Sequence, residues 1–143
     1  MITWTTYGTW LQGDERKYVK DGQTLDPDPN LKRSNLLSLK QSIIKLTPQQ
    51  KITVQNAILE EAKRINHKIH AIAVYSNHIH IVAENNQTPI NQIVSRYKNV
   101  ATAALKQTGF DAKLWTKGYD KRFCFTEEQL KQKIEYVNRH NIE

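Results

Sequence analysis

The order of segments in this chain predicts an α+β fold, an antiparallel ferredoxin-like or RRM-like sheet with helices on one face. Two observations carry that prediction. Stretches of β-branched, aromatic or alternating character recur along the chain, and capped amphipathic helices fall between them, in the order strand, helix, hairpin, helix, strand, helix. Strands that pair through a hairpin and are crossed by two helices form a split βαβ sheet, which leaves its other face to be covered or used. At 143 residues the chain is read as a single domain over 1–143.

The first strand is expected over residues 2–9, where Ile-Thr-Trp-Thr-Thr-Tyr is β-branched and aromatic. Over residues 13–46 the pattern dissolves. Asp26-Pro27-Asp28-Pro29-Asn30 is turn chemistry, because each proline fixes its own φ and turns its predecessor away from helix. This stretch reads as a long excursion holding one short helical piece. Thr47-Pro48-Gln49-Gln50 then offers a capping threonine, a proline at the first helical position and a reciprocal glutamine. Val54, Ala57, Ile58, Ala62 and Ile65 follow at helical spacing.

Residues 68–83 predict a hairpin: Ile69 to Val74, a tight turn at Ser76-Asn77, and His78-Ile79-His80-Ile81-Val82. Thr88-Pro89 opens a second helix with Ile90, Ile93, Val94, Tyr97, Ala101, Ala104 and Leu105 on one face, and Gly109 ends it. Leu114-Trp115 and residues 122–125 supply the last strand material around a Lys117-Gly118 turn. Thr126-Glu127-Glu128-Gln129 opens a third helix, with Leu130, Ile134 and Val137 on one face.

Composition narrows the partners. The net charge is +7 with a pI near 9.5, and between positions 96 and 139 ten Lys or Arg stand against five Asp or Glu. Basic excess does not choose a fold, but it favours polyanions, since each neutralised phosphate releases condensed counterions. No run approaches the roughly 20 apolar residues of a membrane helix. The N-terminus has no signal-peptide pattern, so a cytoplasmic location is expected. The single cysteine, Cys124, sits between Phe123 and Phe125 and excludes an internal disulfide framework; the flanking rings suggest a packed thiol.

One constellation points to chemistry. His78 and His80 alternate with Ile79 and Ile81, so in a strand both imidazoles emerge on one side and both isoleucines on the other. Two adjacent imidazoles form half of a metal site. Tyr136 and His140 lie four residues apart and project from one side of the third helix, on the flank of its apolar stripe. His140 is then placed to complete a three-histidine site with the Tyr136 hydroxyl one turn away. The same residues also fit solvent-facing strand histidines, an interfacial tyrosine and a terminal histidine favoured by the helix dipole.

Asn77-His78-Ile79-His80-Ile81 matches the His-hydrophobe-His motif of the HUH single-strand DNA nucleases. Tyr136-Val137-Asn138-Arg139-His140-Asn141 resembles the nucleophile motif of the single-tyrosine HUH transposases, which include the REP-associated tyrosine transposases and small insertion-sequence transposases. The opening residues, from Thr5-Thr6-Tyr7-Gly8-Thr9-Trp10 to Gln12-Gly13-Asp14, are similar to that family's start, as is Leu114-Trp115-Thr116-Lys117-Gly118-Tyr119.

The resemblance implies that His78, His80 and His140 hold Mg²⁺ or Mn²⁺, that Tyr136 on the C-terminal helix is the nucleophile, and that His78, His80 and Tyr136 form the catalytic set. Many relatives carry glutamine or asparagine in place of His140. Three imidazoles are softer than an ideal magnesium site and suit manganese. The implied partner is single-stranded hairpin DNA in the nucleoid, bound by a monomer or a homodimer. Arg96, Lys98, Lys121 and Arg122 are the candidate phosphate contacts, and Trp4, Trp10 and Trp115 the candidate stacking platforms. Tyr97 is a rival nucleophile, but it falls on an apolar stripe.

The alternative is an RRM-like nucleic-acid-binding module without catalysis, whose signature aromatics are replaced here by histidines. A histidine-triad hydrolase would need a third histidine where Val82 stands. A structural zinc site would make folding itself depend on metal.

Overall fold

The structure, a computed structural model, describes residues 1–9, 18–20, 23–25 and 43–140, with the backbone alone for 18–20, 23–25 and 140. Trp10, the Gly13-Asp14 pair and the proline-rich turn around Asp26 lie outside the described residues. The order is β1 (Ile2–Thr5), β2 (Tyr18–Lys20), β3 (Gln23–Leu25), α1 (Pro48–Arg64), β4 (Ile69–Val74), β5 (His78–Ala83), α2 (Ile90–Lys106), β6 (Asp120–Lys121) and α3 (Glu127–His140).

The helix boundaries follow from local chemistry. At α1 the predicted capping box forms: Gln50 N donates to Thr47 Oγ1 at 3.2 Å, and Thr47 N donates to Gln50 Oε1 at 2.9 Å. At α2 the cap is Pro89, not Thr88, and no side chain caps the helix; Thr88 N is taken instead by Asn86 Oδ1 at 2.9 Å. Its far end closes as a Schellman turn, with Gly109 at φ 97°, Gly109 N on Lys106 O and Phe110 N on Leu105 O. At α3 Thr126 Oγ1 accepts from Gln129 N at 3.1 Å, as the sequence suggests.

β1, β4, β5 and β6 form one antiparallel sheet in the order β4-β5-β1-β6. This is the split βαβ arrangement. The two faces are covered differently. Ile2, Trp4, Ile72, Val74, Ile79 and Ile81 pack into one cluster with Val54, Ile58, Ile93, Val94, Tyr97 and Leu105 of α1 and α2. On the other face Ala71, Ala73 and Val82 meet Val137 of α3, with Leu130 and Ile134 partly buried against them. The stripe expected on the third helix is therefore the surface by which α3 seats itself.

Two strands differ from expectation. The first ends at Thr5, after which Thr6 continues only as a single bridge to Trp115. The last is two residues long, and residues 122–125 are not strand. The ladder with β1 pairs Thr3 with Asp120 and Ile2 with Lys121, Arg122 N reaches Met1 O at 2.8 Å, and residues 123–125 leave it. A separate two-stranded ladder, β2 with β3, lies in the stretch read as irregular. The sequence carried a signal for it in Asp21-Gly22, a dipeptide typical of hairpin turns. Among the described residues no helix is long and apolar enough to cross a membrane.

Candidate active site

Alternation along β5 divides the strand as predicted. Ile79 and Ile81 are fully buried in the α1/α2 core, while His78 and His80 stand partly buried on the α3 face, ring centroids 4.8 Å apart. Register decides what surrounds them. Thr5 lies opposite His78 and Thr3 opposite His80 on β1, and Ala73 lies opposite His80 on β4. The alanine keeps that flank of the pair low.

Both imidazoles are oriented through Nδ1. Thr3 Oγ1 lies 2.8 Å from His80 Nδ1, and Asn77 Oδ1 lies 2.6 Å from His78 Nδ1. An amide oxygen only accepts, so His78 Nδ1 is the donor of this bond, and in the neutral tautomer that fits it the lone pair is on Nε2. A hydroxyl accepts equally well, which allows the same tautomer at His80. Hydrogen-bonded Nδ1 atoms of this kind are the usual outer support of metal-binding histidines. The donor set thus fits a divalent ion approached by the two Nε2 atoms.

Tyr75, in the turn between β4 and β5, completes the packing. Its ring lies on His78 at 4.2 Å and 15° from parallel, and meets His80 edge-on at 5.8 Å. The sequence gives Tyr75 and Thr3 no role in the site, and Asn77 only a place in the turn and beside the histidine motif. Asn77 adjoins the motif and was readable as a partner, but Thr3 depends on β-sheet register between positions 77 apart.

α3 brings Tyr136 to this pair. Val137 is fully buried against the sheet, and its neighbour Tyr136 stays 45% exposed with its ring edge-on to His80, centroids 5.9 Å apart. The phenol therefore reaches solvent beside the imidazoles. The side chain of His140 lies outside the described residues; among those described, no group of three His, Cys, Asp or Glu is clustered for a metal.

The basic candidates separate. Lys121 and Arg122 are exposed at the sheet edge, Arg122 sharing Asp120 at 3.3 Å. Arg96 and Lys98 belong to the α1/α2 layer, across the sheet from the histidines. Arg96 lies 3.6 Å from the buried carboxylate of Glu61, which Arg64 also grips and which is held below its ordinary pKa chiefly by that Arg64 hydrogen bond. Lys98 Nζ donates to Thr116 O at 3.0 Å and Gly118 O at 2.7 Å, and burial lowers its pKa. Both side chains thus have structural partners.

The aromatic expectation needs correction. Trp4 and Trp115 are 2% and 7% exposed and pack edge-to-face in the core at 6.0 Å, so neither offers a platform. Tyr97 is buried as expected, hydrogen-bonded to His67, its pKa raised by burial. Among the described residues the exposed aromatics are Tyr136, Phe123 and Phe125, and Cys124 between the two phenylalanines is only partly buried.

Residues 37–140 match the family model described as "Transposase IS200 like". A search of curated proteins found no match.

Proposed function

Because the chain belongs to the IS200-like transposase family, we propose that it cleaves and rejoins single-stranded DNA through a covalent bond to Tyr136. The observation that supports this reading is the approach of an exposed tyrosine on α3 to two oriented histidines on β5, the Tyr136 ring 5.9 Å from that of His80.

In this reading His78 and His80 hold a divalent ion, Mg²⁺ or Mn²⁺, through Nε2, and His140, one turn beyond Tyr136, is the third candidate ligand. When bound, the ion supplies Lewis-acid stabilisation of the charge on the scissile phosphate. The chain's residues do the rest. Tyr136 Oη attacks phosphorus in line, gives up its proton and forms a 5′-phosphotyrosine, and the bond to the 3′ oxygen breaks to leave a 3′-hydroxyl. Attack by a 3′-hydroxyl on that phosphotyrosine reverses the step and joins strands without a nucleotide cofactor. Thr3 and Asn77 hold the imidazoles in place throughout, and Lys121 and Arg122 supply positive charge for the strand's phosphates.

The test is incubation with single-stranded hairpin DNA and Mn²⁺, followed by denaturing electrophoresis. The wild type should form a protein–DNA adduct, and Tyr136→Phe should form none. An adduct that persists in the Phe variant overturns the assignment. DNA binding with no cleavage at any metal concentration would favour the binding-module alternative.

A further inference from the structure

Beyond Arg122 the chain leaves the sheet, and the row Lys121, Phe123, Phe125 is set at intervals of two, the period at which an extended segment repeats one face. The contacts agree. Lys121 Nζ lies 5.7 Å from the Phe123 ring centre, and the two phenylalanine rings are 6.3 Å apart at 43°. Phe123 is 53% exposed and Phe125 83%, an unusual cost for two large apolar side chains side by side. The segment lines a cavity of about 570 Å³ that His70, Glu84 and Asn86 also line.

We infer that Lys121, Phe123 and Phe125 form a stacking strip for unpaired DNA bases. This inference rests on single-stranded DNA as the substrate. The chemistry that selects the occupant is on the strip itself: aromatic faces take bases of any sequence, and the adjoining cations of Lys121 and Arg122 take the phosphates between them. Glu127 and Glu128 at the head of α3 repel phosphate, which turns the strand's bases, not its backbone, toward the rings. The strip precedes Tyr136 by the first ten residues of the α3 segment, about 15 Å at 1.5 Å per residue.

The experiment is fluorescence anisotropy with labelled single-stranded oligothymidylate, on wild type, Phe123→Ala, Phe125→Ala, Phe125→Tyr and Lys121→Ala, with adduct formation on hairpin DNA and sedimentation run in parallel. Each alanine variant at a phenylalanine should weaken binding about fivefold or more, with the salt dependence unchanged, and Phe125→Tyr should keep wild-type affinity. Lys121→Ala should lower the log–log salt slope by about 0.7. Phe125 is exposed enough that its replacement leaves the fold intact. Wild type that binds and forms the adduct, with alanine variants of equal affinity, overturns the strip alone. Wild type that neither binds single strands nor forms an adduct overturns the reading beneath it. A change of oligomeric state in the alanine variants assigns the rings to a contact between copies and overturns the strip.

Discussion

Thr3 and His80 face each other across β1 and β5, the threonine hydroxyl 2.8 Å from the imidazole Nδ1. The contact ties the ring to a second strand and fixes which nitrogen is presented. Thr3→Val keeps shape and burial while deleting the hydroxyl. The expected outcome is an unchanged fold and a Mn²⁺ requirement for nicking raised about 10- to 100-fold, the usual loss when the outer support of a metal-binding histidine is removed. A titration of nicking against Mn²⁺ reads it, and an unshifted midpoint refutes the orienting role.

Tyr75 makes a different contribution, through area instead of a hydrogen bond. Its ring covers His78 at 4.2 Å and abuts His80. Tyr75→Ala should free both rotamers and reduce adduct formation about tenfold or more, as loss of fixed geometry commonly does. Tyr75→Phe restores the ring stack and should recover part of that loss.

Lys98 is expected to report in a folding assay. Its ammonium joins α2 to the loop that carries the chain from Trp115 to β6, through two carbonyls, and Trp115 Nε1 returns a bond to Lys98 O at 3.2 Å. Hydrogen bonds to a charged group contribute about 1.5–3 kcal/mol. Lys98→Met should lower unfolding free energy by about that amount in urea titration. A loss of DNA affinity with stability intact would show instead that the charge serves the ligand.

His67 sets a pH dependence. It is buried, its pKa is lowered chiefly by desolvation, and its Nδ1 is 2.5 Å from the Tyr97 hydroxyl. The unfolded chain therefore takes up a proton near the ordinary value of 6.5 while the folded chain resists it. The stabilising contribution is complete above that pH and is lost as pH falls below it toward the folded value. Thermal melts from pH 7 to 5 should show a steeper decline in wild type than in His67→Gln. Parallel curves would remove His67 as the cause.

Much of the fold was legible because its signals are local. The Thr47 box, the His-Ile-His-Ile alternation and the stripe through Val137 each depend on a few neighbouring residues. The site was half legible for the same reason. His78, His80 and Tyr136 were singled out by spacing together with the resemblance of their motifs, but Thr3 is recruited by register between strands 77 positions apart, which no local pattern encodes. Trp4 and Trp115 misled because an aromatic in strand-like sequence serves core and platform equally well until the sheet's covered face is known. The end of β6 was hidden for a related reason: residues 122–125 have strand composition, but a strand also needs a ladder, and the one with β1 pairs only Asp120 and Lys121.

The unequal covering of the sheet has a consequence for motion. α1 and α2 share a broad core with bulky side chains, whereas α3 rests on two alanines and Val82 through Val137, with Leu130 and Ile134 at the margin. Less apolar area is buried when α3 docks than when α1 and α2 do, so among the described helices its detachment is expected to cost the least. Backbone amides of α3 should exchange with deuterated solvent well before those of α1 and α2. If they do, the helix that carries Tyr136 is held to the sheet less firmly than the helices behind His78 and His80.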